Sequence, residues 1–151
     1  MKRIVLSFST FIFVALSAAS CSSDDNNSET IVQTSELPSQ SKSFLETYFL
    51  GYPIVQIQRD ARSVDEYYEV RLTDGTQVDF DKDGMWTEVD GNANMIPTGF
   101  IHPHIISYIT ANYPAASVES IGKEIYGFNV DLTNNLDLRF SSEGIFLGME
   151  N

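Results

Sequence analysis

Three short strand patterns joined by two turns occupy residues 68–86 and constrain the fold more than any other stretch. Residues 68–72 alternate between apolar and charged side chains, which indicates a strand with one buried face. Asp74-Gly75 then predicts a tight hairpin turn, because glycine tolerates the positive φ that such a turn requires. The later landmarks are the apolar pair Val78 and Phe80, a second turn at Asp83-Gly84, and a third strand from Met85 to Val89. The stretch therefore predicts an antiparallel meander of three strands.

The landmarks of this meander recur about 60 residues downstream. The matching positions are Val70 with Val130, Leu72 with Leu132, Phe80 with Phe140, Asp83-Gly84 with Glu143-Gly144, Leu37-Pro38 with Ile96-Pro97, and Tyr52-Pro53 with Tyr113-Pro114. We therefore predict an α+β domain at residues 36–151 with two tandem repeats, about 37–90 and 96–149, each a helix followed by an antiparallel meander. The repeats are expected to form one continuous sheet with the helices packed on one face.

Proline begins a helix in each predicted repeat. Pro38 and Pro103 are tolerated there because the N–H groups of a first helical turn have no intrahelical partner. The apolar stripes of the two helices are Leu37, Phe44, Leu45, Tyr48 and Phe49, and then Ile105, Ile106 and Ile109. Further strands are predicted from Ile54 to Gln58, from Val118 past Ile121, at Phe128 to Leu132, at Leu136 to Phe140, and from Ile145 to Met149.

The first 35 residues differ in character from the rest. Lys2 and Arg3 precede an apolar run and a group of small residues, which predicts a lipoprotein signal peptide at residues 1–20. The following Cys21 is the sole cysteine, so no intramolecular disulfide is possible, and its position predicts lipid attachment. An incidental cysteine in an ordinary signal peptide is the alternative. Residues 21–35 are polar and lack periodicity, which predicts a disordered tether.

The charge of the chain restricts its partners. Without Lys2 and Arg3, seven basic residues remain against 21 acidic ones, a formal charge of −14. No two of the seven are adjacent, so the clustered basic residues that bind a phosphate backbone are missing, and we expect no nucleic-acid partner. An anionic bilayer would repel the domain, so membrane contact is expected only through the lipid on Cys21.

A pattern of aspartates in the first meander resembles the start of a calcium loop. Asp79, Asp81 and Asp83 precede Gly84, and Asp90 stands at the twelfth position. The twelfth ligand is usually a glutamate, and the matching stretch 139–144 has no acid at the positions of Asp79 and Asp81. A hairpin turn with solvated carboxylates is the alternative, so these four residues are only a weak calcium candidate and no metal or other cofactor is predicted.

The chain carries no catalytic signature. Nucleophile-elbow, metalloprotease, phosphate-loop and dinucleotide-binding motifs are all missing from the sequence. His102 and His104 are too few for a zinc site and are interpreted as surface or capping residues. A carboxylate pair for glycoside hydrolysis stays open, because nothing marks one pair above the others. We therefore expect no enzyme and assign no catalytic residue.

The sheet face opposite the helices is the candidate partner face. Its predicted members are Tyr67, Glu69, Arg71, Asp79, Asn129, Asp131 and Arg139. Rigid tyrosine and arginine side chains are frequent at protein interfaces, which favours binding of a protein or peptide. The alternative is a solvated face with cross-strand ion pairs such as Arg71 with Asp79.

The doubled pattern resembles the PepSY-like domain family of secreted bacterial lipoproteins, whose fold is similar to β-lactamase inhibitory protein. The residues that carry the resemblance are Leu37, Pro38, Tyr52, Pro53, Val70, Leu72, Gly75, Phe80 and Gly84 in the first repeat, and Ile96, Pro97, Tyr113, Pro114, Val130, Leu132, Phe140 and Gly144 in the second. The resemblance implies binding or inhibition of other proteins, peptidases in particular. The expected function is a lipid-anchored binding module of the cell envelope, on the periplasmic or exposed side of the outer membrane. The alternative is a peptidase or hydrolase inhibitor that acts through the loop Asp60 to Glu66 or a hairpin tip.

Overall fold

The structure is a computed structural model that describes residues 29–150. Its helices are α1 (Ser39–Tyr48) and α2 (Pro103–Asn112), and a short 3-10 helix spans Thr34–Glu36. The strands are β1 (Glu29–Ile31), β2 (Ile54–Asp60), β3 (Tyr68–Leu72), β4 (Gln77–Phe80), β5 (Trp86–Asp90), β6 (Val118–Glu124), β7 (Gly127–Leu132), β8 (Leu136–Ser141) and β9 (Phe146–Met149). All nine strands form one sheet in chain order, and every neighbouring pair is antiparallel. The predicted α+β class and the single continuous sheet are confirmed.

The order of one helix followed by four strands occurs twice, as α1 with β2–β5 and α2 with β6–β9. The two halves are joined within the sheet, where Val89 of β5 pairs with Ile121 of β6. Trp86 adds a second junction, because its ring stacks on Phe44 of α1 at 6.3 Å and on Phe128 of β7 at 6.4 Å. That the halves are tandem repeats of one sequence unit stays a prediction.

A row of aliphatic side chains crosses the sheet and forms the centre of the core. Its members, paired from strand to strand, are Val70, Val78, Val89, Ile121, Val130 and Leu138. All six are fully buried. Phe80 and Phe140 lie two residues beyond Val78 and Leu138 and so face the same side. Phe44 of α1 contacts the Phe80 ring at 5.8 Å, and Tyr108 of α2 contacts the Phe140 ring at 5.5 Å.

The start of each helix contacts the last turn of its own meander. In the first half, Ser41 Oγ donates a hydrogen bond of 3.3 Å to the carbonyl oxygen of Gly84. In the second half, His104 Nδ1 lies 3.0 Å from the carbonyl oxygen of Glu143. His102 Nδ1 also accepts a hydrogen bond from the backbone N–H of His104, so His102 caps the helix, whereas His104 is an exposed residue of its first turn.

The segment before α1 differs from the sequence prediction. Residues 21–35 were expected to be a tether, but Glu29–Ile31 form β1 against Gln58–Asp60 of β2, and Val32 is buried. This pairing also extends β2 to Asp60, which was predicted to begin a loop. All three side chains of β1 are exposed, so the strand has no apolar alternation that a sequence pattern could show. The predicted signal peptide, Cys21 and the tether up to residue 28 lie outside the described residues.

Within residues 29–150, no helix has the length and apolar character needed to cross a membrane.

We expect Gly84→Ala to destabilise the fold more than Gly75→Ala. Both glycines have a positive φ, +88° and +94°, so each alanine costs roughly 1–2 kcal/mol of backbone strain. A Cβ at Gly84 would also lie 2.6 Å from Pro38 Cβ, whereas at Gly75 the nearest atom is 3.5 Å away. Urea denaturation should therefore show a further loss of about 1–3 kcal/mol for Gly84→Ala. Equal losses would show that the contact between turn and helix start is not tight.

Candidate functional site

The side of the sheet opposite the core, called here the open face, carries two rows of polar side chains that cross the strands. The first row, paired from β2 to β9, is Gln58, Glu69, Asp79, Glu88, Gly122, Asn129, Arg139 and Gly148. The second row, from β2 to β8, is Gln56, Arg71, Gln77, Asp90, Ser120, Asp131 and Asp137. These rows contain six of the seven residues predicted for the partner face, all except Tyr67.

Tyr67 differs from its predicted role as an exposed aromatic anchor. It precedes β3 and is half-buried, and it packs against the hydrophobic core. Its ring contacts the Tyr68 ring edge-on, with 4.9 Å between the centroids. The residues of the two rows are therefore polar, charged or glycine, and none of them is aromatic. At the β1 edge, Ile31 pairs with Gln58 and adds one exposed apolar side chain to the first row.

Carboxylates outnumber cationic groups on the open face. Its carboxylate-bearing positions are Glu69, Asp79, Glu88, Asp90, Asp131 and Asp137, and its basic positions are Arg71 and Arg139. The Arg71 guanidinium bonds Glu69 of its own strand, with 2.6 Å between Nε and Oε1. The cross-strand pair of Arg71 with Asp79, considered as an alternative from sequence, is not the pair that forms. Lys123 lies on the other side, where its Nζ is 4.2 Å from the centre of the Trp86 ring.

Asp79 is a buried acid on this face, with 3% of its surface exposed. Both of its carboxylate oxygens accept hydrogen bonds from Gln77 Nε2, at 3.2 and 3.1 Å. Burial raises the pKa of Asp79 to about 7, and the nearby carboxylates of Glu88, Glu69 and Glu66 also raise it, whereas the bond from Gln77 lowers it. Asp79 therefore changes charge close to neutral pH.

The predicted calcium-loop residues do not come together as one ligand set. Asp81 Oδ1 instead accepts hydrogen bonds from the backbone N–H groups of Asp83 and Met85, both at 2.9 Å. Asp90 Oδ1 accepts one from Asn92 N at 2.7 Å. Asp81 and Asp90 therefore stabilise turns. For Asp81, this agrees with the hairpin turn that the sequence analysis gave as the alternative to a calcium loop.

A different carboxylate group has the spacing of a metal site. Among residues 29–150, this group consists of Glu66, Asp79 and Glu88. One carboxylate oxygen from each residue lies within 4.8 Å of the other two. Oxygen ligands of this type suit a hard divalent cation such as Ca²⁺. Burial raises the pKa of Glu88 as well, and the charges of Asp90 and Glu66 raise it further.

Sequence reasoning missed Glu66 and Glu88 as members of this group. Glu88 directly precedes the core residue Val89, so strict alternation places it on the open face and could have identified it. Its position opposite Asp79 also depends on a bulge, since Asp79 pairs with Glu88 while Phe80 pairs with Trp86. Glu66 lies in a loop, and a loop has no periodicity that could place its side chain.

The open face also contains polar groups held by other contacts. Ser120 Oγ donates a hydrogen bond to Asp131 Oδ2 at 2.5 Å. Burial raises the pKa of Asp131, which the bond from Ser120 opposes. Asn129 Oδ1 is buried and accepts no hydrogen bond from the described residues.

Comparisons with known proteins agree with this architecture. A family model described as "Putative beta-lactamase-inhibitor-like, PepSY-like" matches residues 66–148. A structure from Bacteroides thetaiotaomicron, described as a "putative calcium-regulated periplasmic protein", is 28% identical with a TM-score of 0.76 and covers 82% of this chain and 97% of its own. The comparison with curated proteins finds no match.

Two structures from Bacteroides vulgatus are also similar. One, a "putative periplasmic protein" of the DUF2874 family, is 26% identical with a TM-score of 0.73, over 85% of this chain and 99% of its own. The other, a "putative periplasmic protein of unknown function", is 25% identical with a TM-score of 0.73, over 82% of this chain and 99% of its own. None of these descriptions names an enzymatic activity.

We expect Asp79→Asn to stabilise the protein at alkaline pH and not at acidic pH. The folded-state pKa of about 7 exceeds the ordinary 3.8, so the folded protein binds more protons and its stability falls as pH rises from about 4 to 7. The amide has no proton to lose, so the gain in unfolding free energy should be roughly 1–3 kcal/mol at pH 8 and near zero at pH 4. Urea denaturation across this range, in calcium-free buffer, measures it.

Glu46→Gln, which changes an exposed carboxylate on α1, is the control and should leave the pH dependence unchanged. A wild-type slope that persists in Asp79→Asn would contradict the assignment of the raised pKa to Asp79.

Proposed function

Because the chain belongs to the PepSY-like family, we propose that it is a non-enzymatic binding module that recognises a protein or peptide through the open face. The family resemblance that the sequence predicted is confirmed. The proposal combines this membership with the position of the six paired partner-face residues on the side of the sheet that the core does not use.

The observation that carries the proposal is the pair of polar rows. Consecutive strands lie about 4.8 Å apart, so the row from β2 to β9 spans roughly 30 Å of rigid, hydrogen-bonded backbone. A sheet holds its side chains in fixed relative positions, so a partner would meet a surface that needs little ordering on binding. These rows take no part in the hydrophobic core, so packing of the core does not account for their side chains.

The proposal includes attachment to the cell envelope through a lipid on Cys21. The structural relatives described as periplasmic support an envelope location, and the outer membrane is the proposed site of anchoring. Seven residues separate Cys21 from Glu29, and a chain of this length reaches at most roughly 25–30 Å. An anchored domain would therefore act close to the membrane surface, on the periplasmic or the exposed side.

We expect Gly122→Trp to abolish partner capture without unfolding the protein. Gly122 lies in the middle of the first row, and a Cβ there would meet only Glu88 Cγ, at 4.0 Å. The indole would cover the open face and leave its charges unchanged. Full-length protein, solubilised in detergent with its attached lipid, is used to capture envelope proteins of the parent cells. Ser107→Trp adds the same bulk at an exposed position on α2 and should capture normally.

Equal capture by both tryptophan variants would contradict binding at the open face. The same experiment addresses the alternative function, inhibition of a peptidase or other hydrolase, which the family description favours. An inhibitor would remove the activity of a captured enzyme in a one-to-one ratio. Val64 lies in the loop between β2 and β3 and is 75% exposed. If the protein is such an inhibitor, Val64→Ser should reduce the inhibition.

Calcium regulation of the open face is a second candidate. It is favoured by the description of one structural relative as calcium-regulated and by the spacing of Glu66, Asp79 and Glu88 in this chain. Calorimetric titration with calcium chloride should show binding in the roughly millimolar range that is typical of extracellular sites. Asp79→Asn should lose the heat of binding and Asp137→Asn should keep it. Identical heats in all three proteins would exclude this group as the site.

A further inference from the structure

We infer that the partner of the open face is a polypeptide segment rich in lysine and arginine. The inference rests on the proposed function and names the chemistry of its partner. It follows from the balance of charge on the face and from the absence of aromatic side chains in its rows.

The charge balance is the first argument. Besides the six carboxylate positions of the two rows, of which Asp79 is buried, Glu29 and Glu66 lie at the β1 end of the face and line one small cavity with Gln58 and Glu69. Against them stand Arg71, already bonded to Glu69, and Arg139. The cation of Lys123 is directed to the other side, where Nζ donates a hydrogen bond to the Trp86 carbonyl oxygen at 2.6 Å. The face therefore presents an excess of negative charge to any partner.

The distances make this charge costly in the free protein. The carboxylates of Glu66, Asp79 and Glu88 approach within 4.8 Å, and like charges on directly opposed strand positions destabilise a sheet. A cationic side chain between them would replace repulsion by attraction at several contacts at once. Complementary charge also selects among partners, because an acidic or phosphate-bearing surface would be repelled by the same groups.

The surface chemistry argues against an apolar partner. Tyr67, the aromatic residue that the sequence placed on this face, packs on Tyr68 instead. Apart from two arginines and two glycines, the residues of the two rows offer carboxylates, amides and a hydroxyl. Lysine and arginine are donor-only side chains, with three and five N–H groups, so they match a surface dominated by acceptors. Their long stems also allow the charged groups to reach carboxylates on neighbouring strands.

The test uses synthetic peptides of twelve residues in which lysine, arginine or glutamine alternates with alanine. Alternation places like side chains on one side of an extended peptide. Full-length protein in detergent and calcium-free buffer is titrated, and fluorescence anisotropy of the labelled peptides reports binding. The lysine and arginine peptides should bind, with affinity that falls as salt increases, and the glutamine peptide should not.

Matched variants locate the binding site. Glu66→Gln with Glu88→Gln removes two negative charges from the face, and Glu46→Gln with Asp83→Asn removes two from exposed positions on α1 and the turn between β4 and β5. The first pair should weaken binding of the basic peptides about tenfold, and the second by less than about twofold. An equal loss in both would overturn the inference, since it would show attraction to net charge alone. Binding of the glutamine peptide as tightly as the basic ones, or of none, would also overturn it.

The outcome is separable from that of the proposed function. If Gly122→Trp blocks capture of a polypeptide whose binding is unaffected by salt and by Glu66→Gln with Glu88→Gln, the open face is a binding site and the inference of a basic partner is wrong. If the basic peptides bind Gly122→Trp as tightly as wild type, they do not occupy the open face, and the inference is again wrong. Basic-peptide binding that is lost in Gly122→Trp and weakened about tenfold in Glu66→Gln with Glu88→Gln supports it.

Discussion

The register between neighbouring strands is the constraint on which the rest of this structure depends. Because side chains alternate between the two faces, the buried row from Val70 to Leu138 fixes which residues form the open face. A shift of one residue in any pair would bring Asp79 or Asn129 into the core and expose Val78 or Val130. Burying those polar groups would cost free energy, so a register shift is unfavourable and the same residues stay on the open face.

The contacts between helix starts and meander turns add a second level of specification. Gly84 and Gly144 adopt positive φ and lie so close to Pro38 and His102 that a side chain would overlap. A turn position that combines a left-handed backbone with a neighbour at such a distance accepts only glycine. These turns thus set how close each helix start lies to its meander.

One side chain of the open face lowers the stability of the folded protein. Asp79 is buried among other carboxylates, and burial has raised its pKa to about 7. A residue such as asparagine would satisfy Gln77 without carrying a charge that has to be neutralised. An arrangement that opposes stability, held in place by well-packed strands, is typical of surfaces used for recognition. This view supports the proposed binding role and the cationic chemistry inferred for its partner.

The sequence by itself determined the α+β class, the continuous sheet, the helices at Pro38 and Pro103, and the side of the sheet on which six of the seven partner-face residues lie. These features follow from alternation, proline and glycine, which act within a few residues. Only the tertiary structure decided that Glu29–Ile31 adds a first strand, that Tyr67 packs on Tyr68, and that Glu66 joins Asp79 and Glu88. The reason is physical: a short exposed strand, a loop and a β5 bulge leave no periodic trace, and their side chains meet only once distant strands have paired.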